Sequence, residues 1–337
     1  MIEAAIIKLS KKQNLNYTEA ITVMDEIMLG KASNIQISSY LTALSLKGET
    51  IEEITASAAG MRNHCVKLLH EEDALEIVGT GGDHSNSFNI STTSAIIVSS
   101  AGIPVAKHGN RSASSQCGSA DVLEALGVNI FISAEESARL LKDIGLCFMF
   151  AQNYHIAMKY VAPIRKELSI RTVFNILGPL CNPAGATMQL LGVYDEALVE
   201  PIAKVLCQLG VKNAMVVYGL DGLDEISLSS PTLICEVKNG WVKSYQITPE
   251  QFGFTRCNTS ELVGGNATQN AQIIQEILQG KKGAKRDAVV LNSAAALYVA
   301  KDISFEDAIQ QVENLIDSGK AMEQLEKFIR LSNEVKS

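Results

Sequence analysis

Apolar side chains recur with a period of 3.6 residues through the first seventy positions of the chain, which predicts a set of amphipathic helices. One such segment follows Thr18 and ends at Gly30, and the next one ends at Gly48. Thr50 and Glu53 have the spacing of a capping box, in which each side chain accepts a hydrogen bond from a backbone N–H group at a helix start. The N-terminal part of the chain is therefore predicted to be helical.

After residue 73, short apolar runs alternate with segments of helical period. The strands predicted from these runs are 75–78, 105–107, 128–132, 147–150, 189–193 and 214–218. The predicted helices are 91–100, 120–126, 134–144, 198–209 and 288–297. Asn239-Gly240 between two apolar runs predicts a β-hairpin. Strands that alternate with helices imply right-handed crossovers and a mainly parallel sheet.

The chain has 337 residues, a length that corresponds to about two domains. The predicted fold class is α/β, with a small all-helical domain at residues 1–68 and a larger α/β domain with a mainly parallel central sheet at residues 69–337. The boundary between them stays open, because helices from residues 155–185 can also pack back on the small domain.

Composition and charge exclude several classes of protein. Hydrophobic residues make up 47% and charged residues 20% of the chain, which excludes a disordered protein. The formal net charge of −8 argues against general binding of nucleic acid or of an anionic membrane. The seven cysteines form no CxxC pair, and the sequence has neither a secretory signal nor an 18-residue apolar run. These features predict a cytoplasmic protein with reduced thiols.

Two glycine- and hydroxyl-rich stretches are candidates for binding an anion. GTGGD at 79–83 follows a predicted strand, and SFNIST at 87–92 opens the next helix. Glycine lets backbone N–H groups approach an anion, and a helix N-terminus presents free N–H groups to phosphate. A tight strand-to-helix turn explains the same residues about equally well. The spacing matches neither a Walker loop nor a GxGxxG dinucleotide turn.

A third stretch, KHGNR at 107–111, continues into a serine-rich segment that reaches Asp121. It begins at the carboxyl end of a predicted strand, where α/β sheets place their ligands. A solvated loop explains the serines and glycines, but it explains the two cations and the imidazole less well. The segment is therefore a candidate for wrapping an anionic ligand.

Arg165 and Arg171 are candidates for holding a carboxylate, because an arginine can donate two parallel hydrogen bonds to one. The alternative is a solvated helix face on which Arg165 and Lys166 lie near Glu167. The local sequence slightly favours this alternative.

Asp224 and Glu225 lie in DGLDE, after a predicted strand. Adjacent carboxylates resist sharing a small space unless a cation neutralises them, and oxygen-only ligands suit Mg²⁺. An acidic surface turn is the alternative, and it is the better interpretation if this motif is taken alone.

Taken in order, the motifs resemble those of the anthranilate phosphoribosyltransferase family. They are GTGGD, SFNIST, KHGNR, GSADVLEALG, RKELSIRTVFNILGPLCNP and DGLDE, and the similarity runs from about residue 15 to residue 330. The resemblance implies an active site in the cleft between a helical and an α/β domain. It implies that anthranilate and 5-phosphoribosyl-1-diphosphate (PRPP) give N-(5-phosphoribosyl)anthranilate and diphosphate, the second step of tryptophan biosynthesis from chorismate. The implied cofactor is Mg²⁺, two ions per site, and the implied assembly is a cytoplasmic homodimer.

The resemblance also implies roles for individual residues. Binding of PRPP is implied for Gly79, Gly82, Asp83, Ser87, Asn89, Ile90, Ser91, Thr92, Lys107, His108, Gly109, Asn110, Arg111, Ser112, Ala113, Ser114, Ser115 and Ser119. Contact with anthranilate is implied for Gly79, Asn110 and Arg165, with His108 and His155 as pocket walls. The implied metal ligands are Ser91, Asp224 and Glu225. Positioning of the reactants is expected from Lys107, His108, Asn110 and Arg165, with no residue as general acid or base.

The chemistry of the reaction fits such a site. Departure of diphosphate from ribose C1 builds positive charge on the ribose and negative charge on the leaving group, so catalysis needs cations at the diphosphate and a well-placed nucleophile. The anthranilate amine is already neutral at pH 7, so no strong base is required. Ile37, Tyr40 and Leu41 are candidates for the homodimer surface, and burial in the chain's own core is an equal alternative.

Three positions depart from the family's pattern. His84 stands where glycine is common, Ser87 where threonine is usual, and Gln116-Cys117 where Lys-Ser is common. Gln116 removes one cation from the phosphate loop, which is expected to weaken PRPP binding.

Three rival functions remain to be weighed. Pyrimidine nucleoside phosphorylases share the implied fold, but they are longer and lack the KHGNR and RTVFNILGPL segments. A nucleic-acid-binding relative is disfavoured by the charge of −8 and by Arg165. A purely structural helical protein has no reason to hold four loops compatible with anions and metal ions.

Overall fold

The structure is a computed structural model that describes residues 1–112 and 116–334. Its strands are β1 (Leu75–Gly79), β2 (Val105–Gly109), β3 (Leu146–Phe150), β4 (Met188–Gly192), β5 (Asn213–Gly219), β6 (Thr232–Lys238) and β7 (Trp241–Ile247). The first helices are α1 (Ile2–Ser10), α2 (Tyr17–Met28), α3 (Asn34–Lys47) and α4 (Ile51–Asn63). The remaining helices are α5 (Ile90–Ser100), α6 (Ser119–Ala125), α7 (Ala134–Ile144), α8 (Ala151–Tyr154), α9 (Ala162–Leu168), α10 (Phe174–Leu177), α11 (Val199–Gln208), α12 (Ala267–Leu278), α13 (Ala284–Ala300), α14 (Phe305–Asp317) and α15 (Lys320–Asn333).

Helices α2, α3 and α4 each begin at a capping box, at Asn16, Ser33 and Thr50. The box predicted at Thr50 is confirmed, because its hydroxyl accepts from the Glu53 N–H while the Glu53 carboxylate accepts from the Thr50 N–H. Thr18 is not a helix start, since it lies inside α2. The helix begins two residues earlier than the hydroxyl of Thr18 suggests, because the side-chain oxygen of Asn16 caps it. An amide oxygen caps a helix as well as a hydroxyl does.

The seven strands form one sheet in the order β3-β2-β1-β4-β5-β6-β7. Strands β1 to β5 are parallel, and β6 and β7 add an antiparallel hairpin at one edge. The mainly parallel sheet and the Asn239-Gly240 hairpin are confirmed. The strand order reverses between β1 and β4, and in α/β sheets ligands bind at the carboxyl ends of the strands on either side of such a reversal.

The strand predicted at 128–132 is wrong. Val128, Ile130 and Ile132 are buried, so the alternation of apolar and polar positions is real. The Asn129 N–H, however, donates to the Ser332 hydroxyl, and the Phe131 N–H donates to the Asn129 side chain. In any extended segment, buried and exposed side chains alternate every two residues, as they do in a strand. This segment is extended, but its backbone bonds to side chains rather than to a neighbouring strand.

The two faces of the sheet carry different helices. Helices α5, α7, α13 and α15 enclose one apolar cluster with β1, β2 and β3. The other cluster joins α1 to α4 with α9, α10, α11 and one face of β4 and β5. Because this second cluster runs without a break from the N-terminal helices to the sheet, the boundary at residue 68 stays a prediction.

Apolar residues on α3 belong to the chain's own core. Ile37, Tyr40 and Leu41 are at most 1% exposed, so they are not available to a second copy of the chain. In the part of the chain that the structure describes, no single helix could cross a membrane, and only α13 and α14 together, bent by 120° at their junction, have the required length and composition.

Candidate active site

The glycine-rich loop after β1 passes over the carboxyl ends of β1 and β4. Gly79 is paired with Gly192, and a Cβ atom on either residue would collide with Asp224. The two glycines therefore leave the space in which Asp224 lies across the strand ends. The N–H of Gly81, a residue in the left-handed region with φ of 66°, donates to Asp224 Oδ2 at 2.7 Å.

Three carboxylates converge at this point. Burial, together with the charges of Asp83 and Glu225, raises the pKa of Asp224 well above its ordinary value. Burial also raises the pKa of Glu225 to about 7. The Oδ2 atom of Asp83 is buried and has no hydrogen-bond partner among the described residues. Buried carboxylates that repel one another, one of them with an unused oxygen, fit a bound cation.

Protein side chains alone do not complete a metal cage here. Within residues 1–112 and 116–334, no group of three or more His, Cys, Asp and Glu side chains is placed to hold a metal ion. Mg²⁺ commonly takes one or two carboxylates and completes its shell with water and substrate phosphate. The donor set of Asp224, Glu225 and the Ser91 hydroxyl fits that pattern.

Lys107 lies beside the carboxylates, inside the protein. Its Nζ atom donates to the carbonyl of Ile77 at 2.7 Å and to Ser91 Oγ at 3.3 Å. Burial lowers the pKa of Lys107 to about 8, and the charges of Glu225 and Glu76 oppose that shift. At the start of α5, where the sequence predicts a phosphate site, the Ser91 N–H donates to the protein's own Glu225 Oε1 at 3.1 Å.

His108 and His155 come together from distant parts of the chain. Their ring centroids are 4.9 Å apart, and both side chains are more than nine-tenths buried. Burial lowers the pKa of His108 to about 3 and that of His155 to about 4, so both rings are neutral at pH 7. The Nε2 atoms of both rings lack a partner among the described residues.

Arg165 differs from its neighbours on α9. Lys166 and Glu167 are more exposed, whereas Arg165 is half-buried and its guanidinium lies 5.8 Å from the ring centroid of Phe174. Burial lowers the pKa of Arg165. No acidic side chain of the described ranges lies within ion-pair distance of Arg165. The alternative of a solvated helix face therefore holds for Lys166 and Glu167 but not for Arg165.

The segment after β2 is held by α6. Arg111 forms ion pairs with Asp121 and Glu124, so its charge is already matched by protein carboxylates. Asp121 also accepts from the N–H groups of Ser112 and Gly118, at 3.0 and 2.9 Å. Three residues of the predicted phosphate loop lie outside the described residues, namely Ala113, Ser114 and Ser115.

The stretch before α5 has its own contacts. Asn89 donates to the Cys117 carbonyl at 3.2 Å and accepts from Asn270 at 2.9 Å. Ile90 and Thr92 are at most 2% exposed, so their side chains pack inside the protein. Contact with PRPP stays a prediction for Ile90 and Thr92, and also for Ser87, Gly109, Asn110 and Ser119.

Two further residues contact the loops of this site: Arg171, a candidate from the sequence for holding a carboxylate, and Glu76, to which the sequence assigns no role. Arg171 donates to the carbonyl of Gly82 at 2.9 Å, and its guanidinium lies 3.9 Å from the ring centroid of Tyr194. Glu76 is fully buried in β1, and its carboxylate accepts from the His108 N–H. The sequence does contain a feature that points to Glu76, namely an acidic residue inside an otherwise apolar strand.

The comparisons with known proteins cover nearly the whole chain. Residues 3–65 match the helical bundle domain, and residues 71–322 the a/b domain, of the family described as Glycosyl transferase. The chain is 65% identical to the anthranilate phosphoribosyltransferase of Methanobrevibacter smithii over 99% of this chain and 100% of that one.

Solved structures agree with this similarity. The crystal structure of the enzyme from Thermus thermophilus shares 40% identity and a TM-score of 0.93, covering 98% of this chain and 99% of that one. The enzyme from Saccharomyces cerevisiae, in complex with PRPP and Mg, shares 29% identity and a TM-score of 0.91 over 99% of this chain and 98% of that one.

Proposed function

The chain belongs to the anthranilate phosphoribosyltransferase family, and we propose that the loops at the carboxyl ends of β1, β2 and β4 carry out the reaction of that family. The enzyme transfers the phosphoribosyl group of PRPP to the amine of anthranilate, a reaction of tryptophan biosynthesis. The amine nitrogen forms a bond to ribose C1, and the bond from C1 to diphosphate breaks. The electron pair of that bond leaves with diphosphate, and the amine proton passes to solvent.

The observation that carries this proposal is the convergence of Asp83, Asp224 and Glu225 at the strand ends, next to Lys107. The proposed metal ligands are Asp224, Glu225 and Ser91, with two Mg²⁺ ions per site. Bound Mg²⁺ neutralises the charge that develops on the departing diphosphate. Lys107 contributes a buried positive charge beside Ser91. Gly81 and Gly82 border open space, because a Cβ atom on either residue would have no neighbour within 4 Å.

We propose that Arg165 binds the carboxylate of anthranilate through two parallel hydrogen bonds. A half-buried guanidinium without an acidic partner among the described residues supports this role. His108 and His155 are proposed as the walls of the pocket, and Gly79 and Asn110 as further contacts. Because α9 packs on α3 while Asp224 lies over the carboxyl ends of β1 and β4, the pocket is proposed to occupy the cleft between the helical and the α/β parts.

Calorimetric titration with PRPP at a series of Mg²⁺ concentrations tests the site. We expect Asp224→Asn and Glu225→Gln to weaken PRPP binding by about tenfold or more and to reduce its dependence on Mg²⁺. The control is Asp302→Asn, since that side chain is fully exposed and pairs with Lys238, which lies opposite Asn213 at the beginning of β5 rather than at its carboxyl end. Wild-type affinity and wild-type Mg²⁺ dependence in both site variants would contradict the proposed ligands.

We also propose a homodimer formed through the helical domain. Ile7, Ile35 and Leu46, on α1 and α3, are 58, 80 and 80% exposed, and exposed apolar side chains grouped on one part of a protein are typical of interfaces. Light scattering should give twice the chain mass of 36.3 kDa for the wild type. Ile35→Glu should give the single-chain mass, and Trp241→Glu, an equally exposed position on the hairpin, should not. A single-chain mass for the wild type would refute the proposal.

The proposed location is the cytoplasm. Cys65, Cys147, Cys181, Cys207, Cys235 and Cys257 are free thiols. Burial raises the pKa of Cys147 and Cys181 to about 12. Unpaired, unreactive thiols fit a reducing compartment.

A further inference from the structure

The loop that carries the proposed metal ligands, residues 220–231 between β5 and β6, uses its acidic side chains in two ways. We call it the acidic loop. The Asp221 carboxylate accepts from the Ser227 hydroxyl at 2.8 Å and so closes the loop on itself. Asp224 and Glu225 instead accept from backbone N–H groups of other elements, the glycine-rich loop and the start of α5. These two carboxylates are therefore the ones that the acidic loop presents to the site.

A side chain of α13 bonds to the backbone directly after this pair. Asn292 Oδ1 accepts from the Ile226 N–H at 2.9 Å, and Asn292 Nδ2 donates to the Ile226 carbonyl at 2.9 Å. The same nitrogen donates to the carbonyl of Ala288, also at 2.9 Å. The partners fix the orientation of the amide, because a reversed amide would turn its oxygen toward two carbonyl oxygens. Asn292 thus exchanges two bonds with Ile226, as a residue of a neighbouring antiparallel strand would.

Water does not compete for these bonds. Asn292 is fully buried, and Ile226 is 1% exposed. The helix around Asn292 is apolar, since Ser293 is the only other polar residue in the segment 288–297. Without the amide, the N–H and the carbonyl of Ile226 would be buried and unpaired, which is costly. The backbone that follows the two carboxylates is therefore held by one side chain.

The two carboxylates need such support, because they lie close enough to repel each other. Repulsion favours a loop conformation that moves them apart. The N–H groups of Gly81 and Ser91 hold the carboxylate groups, and Asn292 holds the backbone that carries them. Ligands that are already in place need no rearrangement when a cation binds.

We propose that Asn292 is a positioning residue for the Mg²⁺ site: its two bonds to Ile226 fix Asp224 and Glu225 in the arrangement that binds the cation together with PRPP. Its effect is confined to that half of the reaction, since α13 and the α9 helix of Arg165 belong to different apolar clusters. The inference rests on the proposed function, because it takes Asp224 and Glu225 as the metal ligands.

Asn292→Leu removes the bonds of this side chain at nearly constant volume. The matched control is Gln324→Leu on α15. Gln324 is 6% exposed and donates to two acceptors, Ser99 Oγ at 3.1 Å and the Ile144 carbonyl at 2.7 Å. Loss of a buried amide from the same apolar cluster is thus common to both variants. Only the Asn292 variant releases the acidic loop.

The first readout is amide hydrogen exchange of the metal-free protein, followed residue by residue by NMR. In the wild type we expect the Ile226 N–H to exchange slowly, like the amides of β5, since it is buried and hydrogen-bonded. In Asn292→Leu it should exchange about tenfold faster relative to the β5 amides, and Gln324→Leu should keep the wild-type ratio.

Two results of this experiment would overturn the inference. One is a wild-type Ile226 N–H that exchanges like an exposed amide, and the other is an unchanged ratio in a folded Asn292→Leu variant. If that variant does not fold, the wild-type rate and Asn292→Ala provide the same test.

The second readout is calorimetric titration with PRPP at a series of Mg²⁺ concentrations. In Asn292→Leu the Mg²⁺ concentration that gives half-maximal PRPP affinity should rise about tenfold, because loss of a residue that orients metal ligands weakens metal binding by about 10- to 100-fold. Saturating Mg²⁺ should restore the PRPP affinity to within about threefold of the wild type, since excess cation favours the loop conformation that binds it. The KM for anthranilate should change by less than about twofold.

The control separates positioning from general stability. A purely structural role would destabilise Asn292→Leu and Gln324→Leu alike and leave the Mg²⁺ dependence of both at the wild-type value, which would overturn the inference. An equal shift of the Mg²⁺ dependence in both variants would overturn it as well. Wild-type PRPP binding that does not depend on Mg²⁺ would instead refute the proposed metal site, and the exchange rate of Ile226 would still show whether Asn292 holds the acidic loop.

Discussion

Replacement of Arg165 by alanine removes the cation that we assign to the anthranilate carboxylate. The guanidinium is half-buried and without an acidic partner among the described residues, so it is available to the substrate and needs no release from an ion pair. Alanine leaves the neighbours Lys166 and Glu167 unchanged. The substitution therefore tests one contact rather than the charge of the whole helix.

The magnitude follows from the contact that is lost. A hydrogen bond to a charged group contributes about 1.5–3 kcal/mol, and solvent screening of a half-buried group reduces the sum of two such bonds. We take a loss of about 2–3 kcal/mol, which corresponds to a roughly 30- to 150-fold increase in the KM for anthranilate. Arg165→Lys keeps the charge but not the two-pronged geometry, so its KM should lie between those of the wild type and the alanine variant.

The assay follows the fluorescence of anthranilate while each substrate is varied in turn. The KM for PRPP should change by less than about threefold in Arg165→Ala, and Lys166→Ala should behave as the wild type. Equal increases of both KM values would refute the reasoning, as would an effect of Lys166→Ala as large as that of Arg165→Ala.

Three further predictions concern stability and the phosphate loop. Glu53→Ala leaves Lys47, its partner in a buried ion pair, without a counter-charge, so urea unfolding should show a loss of about 3 kcal/mol or more. His155 binds its proton at a pKa of about 4 when folded, against 6.5 for the ordinary group, so the free energy of unfolding should fall as pH drops from 6.5 to 4. Over this pH range the free energy of unfolding of His155→Gln should fall by about 3 kcal/mol less than that of the wild type. The same pH profile in the variant and the wild type would contradict a His155 ring that is buried and neutral. Arg171→Gln removes the bond to the Gly82 carbonyl and should raise the KM for PRPP about tenfold, whereas an increase confined to anthranilate would contradict this role.

Elements specified by neighbouring residues could be predicted from the sequence. The capping box at Thr50 and the hairpin at Asn239-Gly240 depend on residues at most three positions apart, and both are present. The alternation in 128–132 is local and predicts a strand, whereas Ser332, which accepts from the Asn129 N–H and holds this segment, lies 203 residues away.

Features of the site that depend on distant residues could not be predicted in the same way. The local sequence favoured a solvated Arg165, but packing beside Phe174 makes it half-buried. Glu76 finds its partners 32 and 113 residues away, at His108 and Gln189. Motif order identified the family without these contacts, because the motifs mark the ligand loops and not the buried bonds that support them.

The central claim is that this chain joins anthranilate to the phosphoribosyl group of PRPP in a Mg²⁺-dependent reaction. The most direct measurement is the decay of anthranilate fluorescence with purified protein, with PRPP present and Mg²⁺ either supplied or removed by a chelator. We predict decay with Mg²⁺, release of one diphosphate for each anthranilate consumed, and no decay after chelation. Unchanged fluorescence in the presence of protein, PRPP and Mg²⁺ would contradict the account.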